Sequence, residues 1–514
     1  MASAQLGPGS AYADVSERGF RLLLIVIGVM AASLMQTLDS TIVNVALPNI
    51  QGNLGAGQDQ ATWIVTSYII AAIIVIPITP WLQNRFGRKN YYVASIVGFT
   101  LASVMCGVAT DLNFLIMWRF IQGLFGGGLL ATGQSVLRDT FPPNKLGVSQ
   151  GIFALGAILG PALGPPLGGI LVDNASWNWV FDINVGPGIL SALLMFTLLR
   201  DPVKARKAAV DFIGLVLLAV GLGTMQYVLT EGERNYWFSD ATIVVATVIC
   251  VASLVAFVLW ELFGTEKPIV DLHVLRNRSV SAGTLLALAL GMVIFGSTYT
   301  LPQVTQGPLG FTPTLSGELF IIRAIPIALF TPLMVRLVAR FDPRYFLAGG
   351  FVLLAAGTGI QALVTTDQSG FWTFALALVL VGAGAAMLFV PLTIAVLGAT
   401  TPQEGPKASA FTTLALQLGG SVAIAALDVL IDRRWSFHSA ILGAAITRSS
   451  PTVQQYLQHG SVAGLAGIVN LQAAILAYAD ATFVIAVVAA LFMPLVFFMR
   501  KPKKRGAAPA EAAG

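Results

Sequence analysis

Charged residues are scarce in this chain, because only 10% of its 514 residues are Asp, Glu, Lys or Arg. Soluble domains carry about 25% charged residues, so this scarcity excludes a large soluble protein. Cysteine is rarer still, and the 2 residues of this type, Cys106 and Cys250, lie far apart in apolar segments. That usage excludes a disulfide framework and a cysteine-based metal site, and it leaves both residues as small packing groups.

The motifs of common enzymes are also missing. The sequence contains no HExxH, no CxxC and no glycine-rich phosphate loop. Its three histidines, His273, His438 and His459, are too widely spaced for a metal site or a Ser–His–Asp set. We therefore expect a protein that is not an enzyme and holds no metal. The basic tail at 500–514 directly follows an apolar segment, which favours a topology signal over a nucleic-acid site.

Long apolar runs make up most of the chain. A helix that crosses a bilayer needs about 20 predominantly apolar residues. Fourteen segments meet this requirement: 22–47, 61–82, 91–109, 114–137, 147–172, 180–199, 212–229, 241–263, 280–301, 315–337, 345–364, 372–397, 408–429 and 482–499. The sequence therefore predicts an all-α membrane protein with fourteen transmembrane helices.

Basic residues are distributed unevenly over the loops between these segments. An even number of spans puts both termini on one side of the membrane, and that side receives 23 of the 29 Lys and Arg residues. Because basic loops stay on the cytoplasmic side, the asymmetry predicts a multi-pass protein with both termini in the cytoplasm.

A weak internal repeat suggests how the spans are grouped. The loop after the second span (79–89) and the loop after the tenth (331–344) both begin with Thr-Pro and end in basic residues. Such repeats are typical of transporters that rock two bundles about a central site. The predicted divisions are a cytoplasmic tail at 1–21, a six-helix bundle at 22–200, two inserted helices with their linkers at 201–279, a second six-helix bundle at 280–499 and a basic cytoplasmic tail at 500–514.

Two opposite charges lie inside apolar spans of the first bundle. By helical rise, Asp39 lies about 12 Å and Arg119 about 8 Å from the outer ends of their spans. A charge inside a membrane helix is costly unless it is paired, so each is a candidate functional residue, with a fixed structural ion pair as the alternative. An arginine within reach favours the charged carboxylate and burial disfavours it, so movement between two states could alternate protonation.

The tenth span contains two further charges, Glu318 and Arg323. Their five-residue separation puts them about 140° apart on a helix, so they should not pair with each other. Glu318 lies near the outer end, where water can solvate it. We expect the deeper Arg323 to face a cavity or a carboxylate of another helix, and it could favour anionic or amphiphilic substrates.

The fifth span carries glycine at every fourth position, at Gly156, Gly160, Gly164 and Gly168. Residues at this spacing share one helical face, and small residues let a second helix approach closely. Pro161 and its neighbours kink or stiffen the same helix. Tight packing alone and a sliding surface between bundles both fit this pattern.

Several motifs together are similar to those of the major facilitator superfamily, specifically its 14-span drug:proton antiporters of the EmrB/QacA type. The similarity rests on residues 38–48 (LDSTIVNVALP), 118–123 (WRFIQG), 156–169 (GAILGPALGPPLGG), 177–181 (WNWVF), 183–185 (INV), 211–214 (DFIG) and 237–239 (WFS). The glycine motif is the most specific of them, and the resemblance covers nearly the whole chain.

The resemblance implies a major facilitator fold and proton-driven efflux of hydrophobic or amphiphilic compounds, including many drugs, across a bacterial inner membrane. It implies no cofactor, because the proton gradient supplies the energy. It also implies that the arginine gates protonation of the helix-one carboxylate, a role that we carry to Arg119 and Asp39. The predicted polar and aromatic lining of the substrate cavity is Asn44, Trp63, Tyr68, Gln122, Asn184, Glu318 and Arg323.

The inner loop after the second span departs from the family pattern, which reads Gly, three residues, Asp, two residues, Gly-Arg. Here Pro80 and Asn84 replace the first Gly and the Asp, whereas Gly87 and Arg88 remain. With Arg85, these residues are the predicted inner gate (Asn84, Arg85, Gly87 and Arg88). The family often has a basic residue where this chain has Leu146, so with Asn84 two of the usual charges of the inner-gate network are missing.

One long outer loop is predicted, at 431–479, with a mixed polar and apolar composition, and its apolar stretches could form short interfacial helices. Because EmrB-like permeases work with a periplasmic adaptor and an outer-membrane channel, the resemblance suggests docking as its role. The alternatives to a multidrug exporter are a dedicated exporter of one metabolite, lipid or fatty acid and, less favoured, a membrane-embedded enzyme or scaffold. A channel would need a filter loop or rings of charge, and neither is present.

Overall fold

A computed structural model describes residues 17–499 except 143–144, 201–210, 266–267, 269, 339, 402–403, 448–449 and 459. The predicted basic tail at 500–514, most of the N-terminal tail at 1–21 and the linker at 201–210 therefore lie outside the described residues. Within the described ranges, fourteen helices are long and apolar enough to span a membrane. The predicted fold class is confirmed.

The helices are labelled α1 to α14 in chain order. Their bounds are Gly19–Leu54 (α1), Gln58–Phe86 (α2), Arg88–Gly107 (α3), Leu112–Thr140 (α4), Leu146–Asn174 (α5), Trp179–Leu198 (α6), Phe212–Glu231 (α7), Ala241–Leu259 (α8), Arg278–Gln306 (α9), Pro313–Val338 (α10), Pro343–Val364 (α11), Ala375–Gly398 (α12), Gly405–Ala445 (α13) and Val462–Phe492 (α14). Turns at 127–128 and 183–184 interrupt α4 and α6.

Buried apolar side chains form separate clusters that follow the chain order. Two clusters join α1–α6, which we call the N-terminal half. The largest cluster joins α9–α14, the C-terminal half, and includes one residue of α5. The inserted pair, α7 and α8, packs through α7 against α2, where the Trp63 and Tyr227 rings lie 5.8 Å apart. The two halves meet most extensively where α5 packs along α10.

Helix ends follow the local sequence. Asp111 caps α4 by accepting a hydrogen bond from the Phe114 backbone N–H at 2.9 Å, and Asp240 caps α8 by accepting from Thr242 and Ile243. A single residue, Gly87, joins α2 to α3 with a φ of 85°, a conformation that favours glycine. We call the end of the molecule that carries the α2–α3 turn and the start of α1 the basic end.

The structure differs from the predicted long outer loop at 431–479. Helix α13 continues to Ala445, a short helix occupies Pro451–Leu457, and α14 begins at Val462. The polar residues after Val429 end the apolar window but not the helix, because no Gly or Pro interrupts 421–442. Arg434 and His438 of α13 contact the Asp480 carboxylate of α14 at 2.5 and 2.8 Å, which joins the two extended helices.

Candidate functional site

A buried ion pair joins α1 to α4 inside the N-terminal half. The Nη1 atom of Arg119 lies 2.7 Å from Oδ2 of Asp39. Asp39 is 0% exposed and Arg119 1% exposed, so neither charge reaches solvent. Because isolated charges are expensive in such surroundings, each residue requires the other.

Two amide side chains complete the shell of the carboxylate. Gln122 and Asn184 each donate a hydrogen bond to Oδ1 of Asp39, at 3.1 and 2.9 Å. Both amides also contact the Ser103 hydroxyl of α3, at 2.6 and 3.0 Å. Asn184 reaches this position because it lies at the turn that interrupts α6. The carboxylate therefore accepts three hydrogen bonds from α4 and α6, which fix its position between these helices.

Arg119 also makes contacts that tie α4 to α2. Its Nε donates to the backbone carbonyl of Ile64 at 3.0 Å, and its guanidinium carbon lies 4.3 Å from the centre of the Tyr68 ring. The Tyr68 hydroxyl accepts a hydrogen bond from Gln36 of α1 at 3.2 Å. A displaced Arg119 would therefore disturb α1, α2 and α4 together.

The glycine face of α5 packs directly on α1, the helix that carries Asp39. A Cβ at Gly160 would collide with the Thr37 hydroxyl and lie 3.0 Å from the Leu38 backbone N. A Cβ at Gly164 would collide with the Thr41 hydroxyl, and Gly156 and Gly168 face α1 in the same way. The close approach predicted for this motif therefore occurs between α5 and α1.

A cavity lies between the two halves, and Arg323 is its one charged lining residue. Its volume is about 40 Å³, and its lining residues are Thr37, Ser40, Leu130, Ala157, Pro161, Ile294, Phe295, Thr298, Arg323, Ile327, Phe389, Leu416 and Gln417. Nη1 of Arg323 donates to the Ser297 and Thr298 hydroxyls, at 3.2 and 3.1 Å. Within the described ranges, no carboxylate forms an ion pair with Arg323.

The other residues predicted to line the substrate cavity lie elsewhere. Tyr68, Gln122 and Asn184 belong to the shell of the Asp39–Arg119 pair. Trp63 packs on the inserted pair, and Asn44 and Glu318 are exposed side chains. Apolar periodicity places a residue on a helical face but does not say which neighbouring helix that face meets. None of the six lines the cavity around Arg323.

The predicted inner-gate residues lie at the basic end. Arg88 forms an ion pair with Asp139 of α4, so this contact stays inside the N-terminal half. Asn84 is exposed, and Arg85 lies in the last turn of α2. A contact between the halves is found nearby, where the Ser409 hydroxyl of α13 donates to Oε1 of Gln134 of α4.

The prediction missed several polar residues of both sites. Ser103 connects the amides around Asp39, and Thr37 and Ser40 put hydroxyls into the cavity wall. Their only signal in the sequence is a small polar side chain inside an apolar span. Such residues usually bond to their own helix, as Ser40 does with the Thr37 carbonyl at 2.8 Å. Within the described part of the chain, no group of His, Cys, Asp and Glu could hold a metal ion.

These features together define a polytopic membrane transporter: fourteen spanning helices, a charge pair sealed in one half and a cavity between the halves. The family model of the Major Facilitator Superfamily matches residues 29–317 and 283–447. The chain belongs to this superfamily of transporters and is not an enzyme.

Similar curated proteins include the multidrug export protein EmrB of Escherichia coli (strain K12), which is 33% identical over 85% of each chain. The probable multidrug resistance protein EmrY of the same strain is 31% identical over 94% of this chain and 96% of its own length. The fatty acid resistance protein FarB of Neisseria gonorrhoeae is 31% identical over 88% of this chain and 90% of its own.

Solved structures show the same fold. The human organic anion transporter MFSD10 superimposes with a TM-score of 0.63 at 15% identity, covering 94% of this chain and 100% of its own. The proton:xylose symporter XylE superimposes with a TM-score of 0.58 at 15% identity, covering 93% and 96%. At these identities, the likeness concerns the fold alone.

Proposed function

We propose that this transporter exports hydrophobic or amphiphilic compounds, with many different drugs among them, in exchange for protons. The observation that carries the proposal is the Asp39–Arg119 pair, in which a titratable carboxylate is sealed from solvent and paired with one cation. Relatives named as a multidrug export protein and a probable multidrug resistance protein support the substrate class.

Protonation of Asp39 would change the balance of charge inside the N-terminal half. A neutral Asp39 would leave Arg119 as a buried cation without its counter-ion, which costs several kcal/mol. The arginine would then have to move or find water, and its bonds to Ile64 and Asp39 link that movement to α2 and α1. Binding and release of one proton can thereby favour different helix arrangements.

Helix α1 is the element that could pass this change to the substrate. Asp39 faces the other helices of the N-terminal half, whereas its neighbour Ser40 and Thr37 line the cavity between the halves. Proton and substrate would therefore occupy different sites on opposite faces of α1. In that arrangement, coupling proceeds through movement of α1 against the glycine face of α5, and not through direct competition for one group.

Substrate binding requires the cavity to open. A volume of about 40 Å³ holds a few waters, whereas drug-sized ligands need pockets of about 300 Å³ or more. Contacts between the halves are present at both ends of the bundle. Ser409 bonds to Gln134 at the basic end, and Thr314 donates to Asp173 at the opposite end at 2.9 Å. Alternate breaking of these two contacts would give alternating access.

We also propose the membrane orientation, the energy source and the partners of the transporter. The basic end would face the cytoplasm of a bacterial cell, with both termini there, and the proton gradient would supply the energy without a cofactor. A periplasmic adaptor and an outer-membrane channel are proposed partners. A dedicated exporter of one metabolite, lipid or fatty acid is the second candidate, which the relative named as a fatty acid resistance protein supports.

Transport by the purified protein in proteoliposomes tests the proposal. An imposed pH gradient should drive uphill accumulation of lipophilic cations, anions or fatty acids, and Asp39→Asn should abolish it. Asp428→Asn is the matched control, because Asp428 is a carboxylate of the C-terminal half that accepts a hydrogen bond from Tyr299 at 2.7 Å. Undiminished proton-driven accumulation by Asp39→Asn would refute the assigned coupling site.

A further inference from the structure

Arg323 is a buried cation without a protein counter-ion. Its side chain is 4% exposed, and its two hydrogen bonds go to the neutral hydroxyls of Ser297 and Thr298. In the ranges that the structure describes, it pairs with no carboxylate. By contrast, Arg119, the comparably buried cation of the N-terminal half, has its carboxylate at 2.7 Å. A buried charge normally has such a partner, so the position of Arg323 indicates that an anion is supplied from outside the protein.

Arg323 has donors left for a ligand of the cavity. Both hydrogen bonds use Nη1, and the residue itself lines the cavity, so Nε and Nη2 remain for a ligand within the described part of the structure. A guanidinium presents two parallel N–H groups that match the two oxygens of a carboxylate. The Gln417 amide in the same wall could donate to its remaining lone pairs.

The rest of the cavity wall is apolar. Phe295 and Phe389 provide aromatic surface from α9 and α12, and the aliphatic residues Leu130, Ile294 and Ile327 complete it. This surface suits a hydrocarbon or aromatic body and gives no compensation for a second charge. A positively charged ligand would meet Arg323 across a low-dielectric space and be repelled.

We infer that Arg323 forms the anion subsite of the substrate cavity and that the preferred substrates are lipophilic monocarboxylates, with the carboxylate on the guanidinium and the apolar body between the halves. This inference rests on the proposed export function and specifies its substrate class. Cationic amphiphiles with the same apolar body are the disfavoured substrates. At its present volume the cavity has room for the carboxylate, and opening of the cavity would admit the apolar body of the substrate.

Equilibrium binding to the purified protein in detergent tests the inference with three probes that share one ten-carbon chain: decanoate, decanol and decyltrimethylammonium. Wild type should bind decanoate most tightly. Arg323→Gln should weaken decanoate binding by about tenfold to a hundredfold, the range expected for a charge-assisted hydrogen bond, and should spare the neutral probe. Arg323→Lys should retain part of the preference, because it keeps the charge but loses the paired donors.

The matched control is Arg336→Gln, which removes an exposed arginine from the same helix and should leave all three affinities unchanged. Equal binding of decanoate by wild type and Arg323→Gln would overturn the inference, as would equal binding of the three probes by wild type. Acetate binding as tightly as decanoate would overturn it as well, because the site would then be one for small anions only.

The binding assay separates this inference from the proposed function. Selective binding at Arg323 without proton-linked transport by wild type would remove the proposed function and keep the anion subsite. Proton-linked transport with no preference for decanoate would keep the proposed function and remove the anion subsite.

Discussion

The carboxylate of Asp39 and the guanidinium of Arg119 lie 2.7 Å apart, although 80 positions separate the two residues in the chain. Both are buried, and the helices that carry them, α1 and α4, also form part of the cavity wall. The pair is therefore placed where one proton can change the packing of several helices.

Removal of one charge should destabilise the protein more than removal of both. Asp39→Asn leaves Arg119 unpaired, which should cost about 3–5 kcal/mol of unfolding free energy. The double variant Asp39→Asn with Arg119→Gln should recover most of that stability and still lack proton-driven transport. Thermal unfolding in detergent and transport in proteoliposomes measure the two effects. Additive losses of stability would show that the two charges do not stabilise each other.

Packing between α5 and α1 should not tolerate a side chain on the glycine face. Gly164→Val would collide with Thr41, and overpacking of this kind costs about 1–3 kcal/mol. We expect a lower melting temperature and reduced transport. Gly186→Val in α6 is the control, because no atom lies within 4 Å of a Cβ built there. Equal melting temperatures for Gly164→Val and wild type would contradict the close approach.

The helical segments 431–445 of α13 and 462–479 of α14 should show slow amide exchange. Residues 431–445 and 462–479 are helical, so their backbone N–H groups are bonded and should exchange far more slowly than those of a loop. Asp480→Ala removes the shared partner of Arg434 and His438 and should speed exchange there. Rapid amide exchange across 431–479 in the wild-type protein would show that this segment is a loop, as the sequence predicts, and not helical.

The cap of α8 should respond only to strongly acidic pH. Hydrogen bonds from the Ile243 and Thr242 backbone N–H groups hold the pKa of Asp240 below its ordinary value of 3.8. A lowered pKa means that the capping contribution is present above the ordinary value and is lost as pH falls through the lower one. Amide protection of the first turn, corrected for intrinsic exchange, should therefore stay constant from pH 8 to 5. Asp240→Ala should lack that protection at every pH in this range. Loss of wild-type protection between pH 7 and 5 would contradict a lowered pKa of Asp240.

Membrane orientation can be tested with introduced cysteines, because both native cysteines are buried. Phe341→Cys lies in the α10–α11 turn at the basic end, and Ser461→Cys lies before α14 at the opposite end. A membrane-impermeant maleimide added to intact cells should label the second variant and not the first. The reverse pattern would place the termini outside the cytoplasm.

The helices were predictable because apolar length is a local property of the sequence. The approach of Asp39 to Arg119 was only partly predictable: helical rise gives depth along an axis but not the rotation of each helix. For that reason, Gln122 and Asn184 were assigned to the cavity, although they bond to Asp39. Apolar length does not indicate the extension of α13, because the apolar window ends at Val429 whereas the helix continues through polar residues to Ala445.

Proton release on substrate addition is the most direct test of the central claim. Purified protein in weakly buffered detergent solution, titrated with a transported compound, should release protons as Asp39 loses its proton. The signal should be absent in Asp39→Asn and present in Asp428→Asn. Undiminished proton release by Asp39→Asn, with substrate still bound, would show that the Asp39–Arg119 pair is only structural.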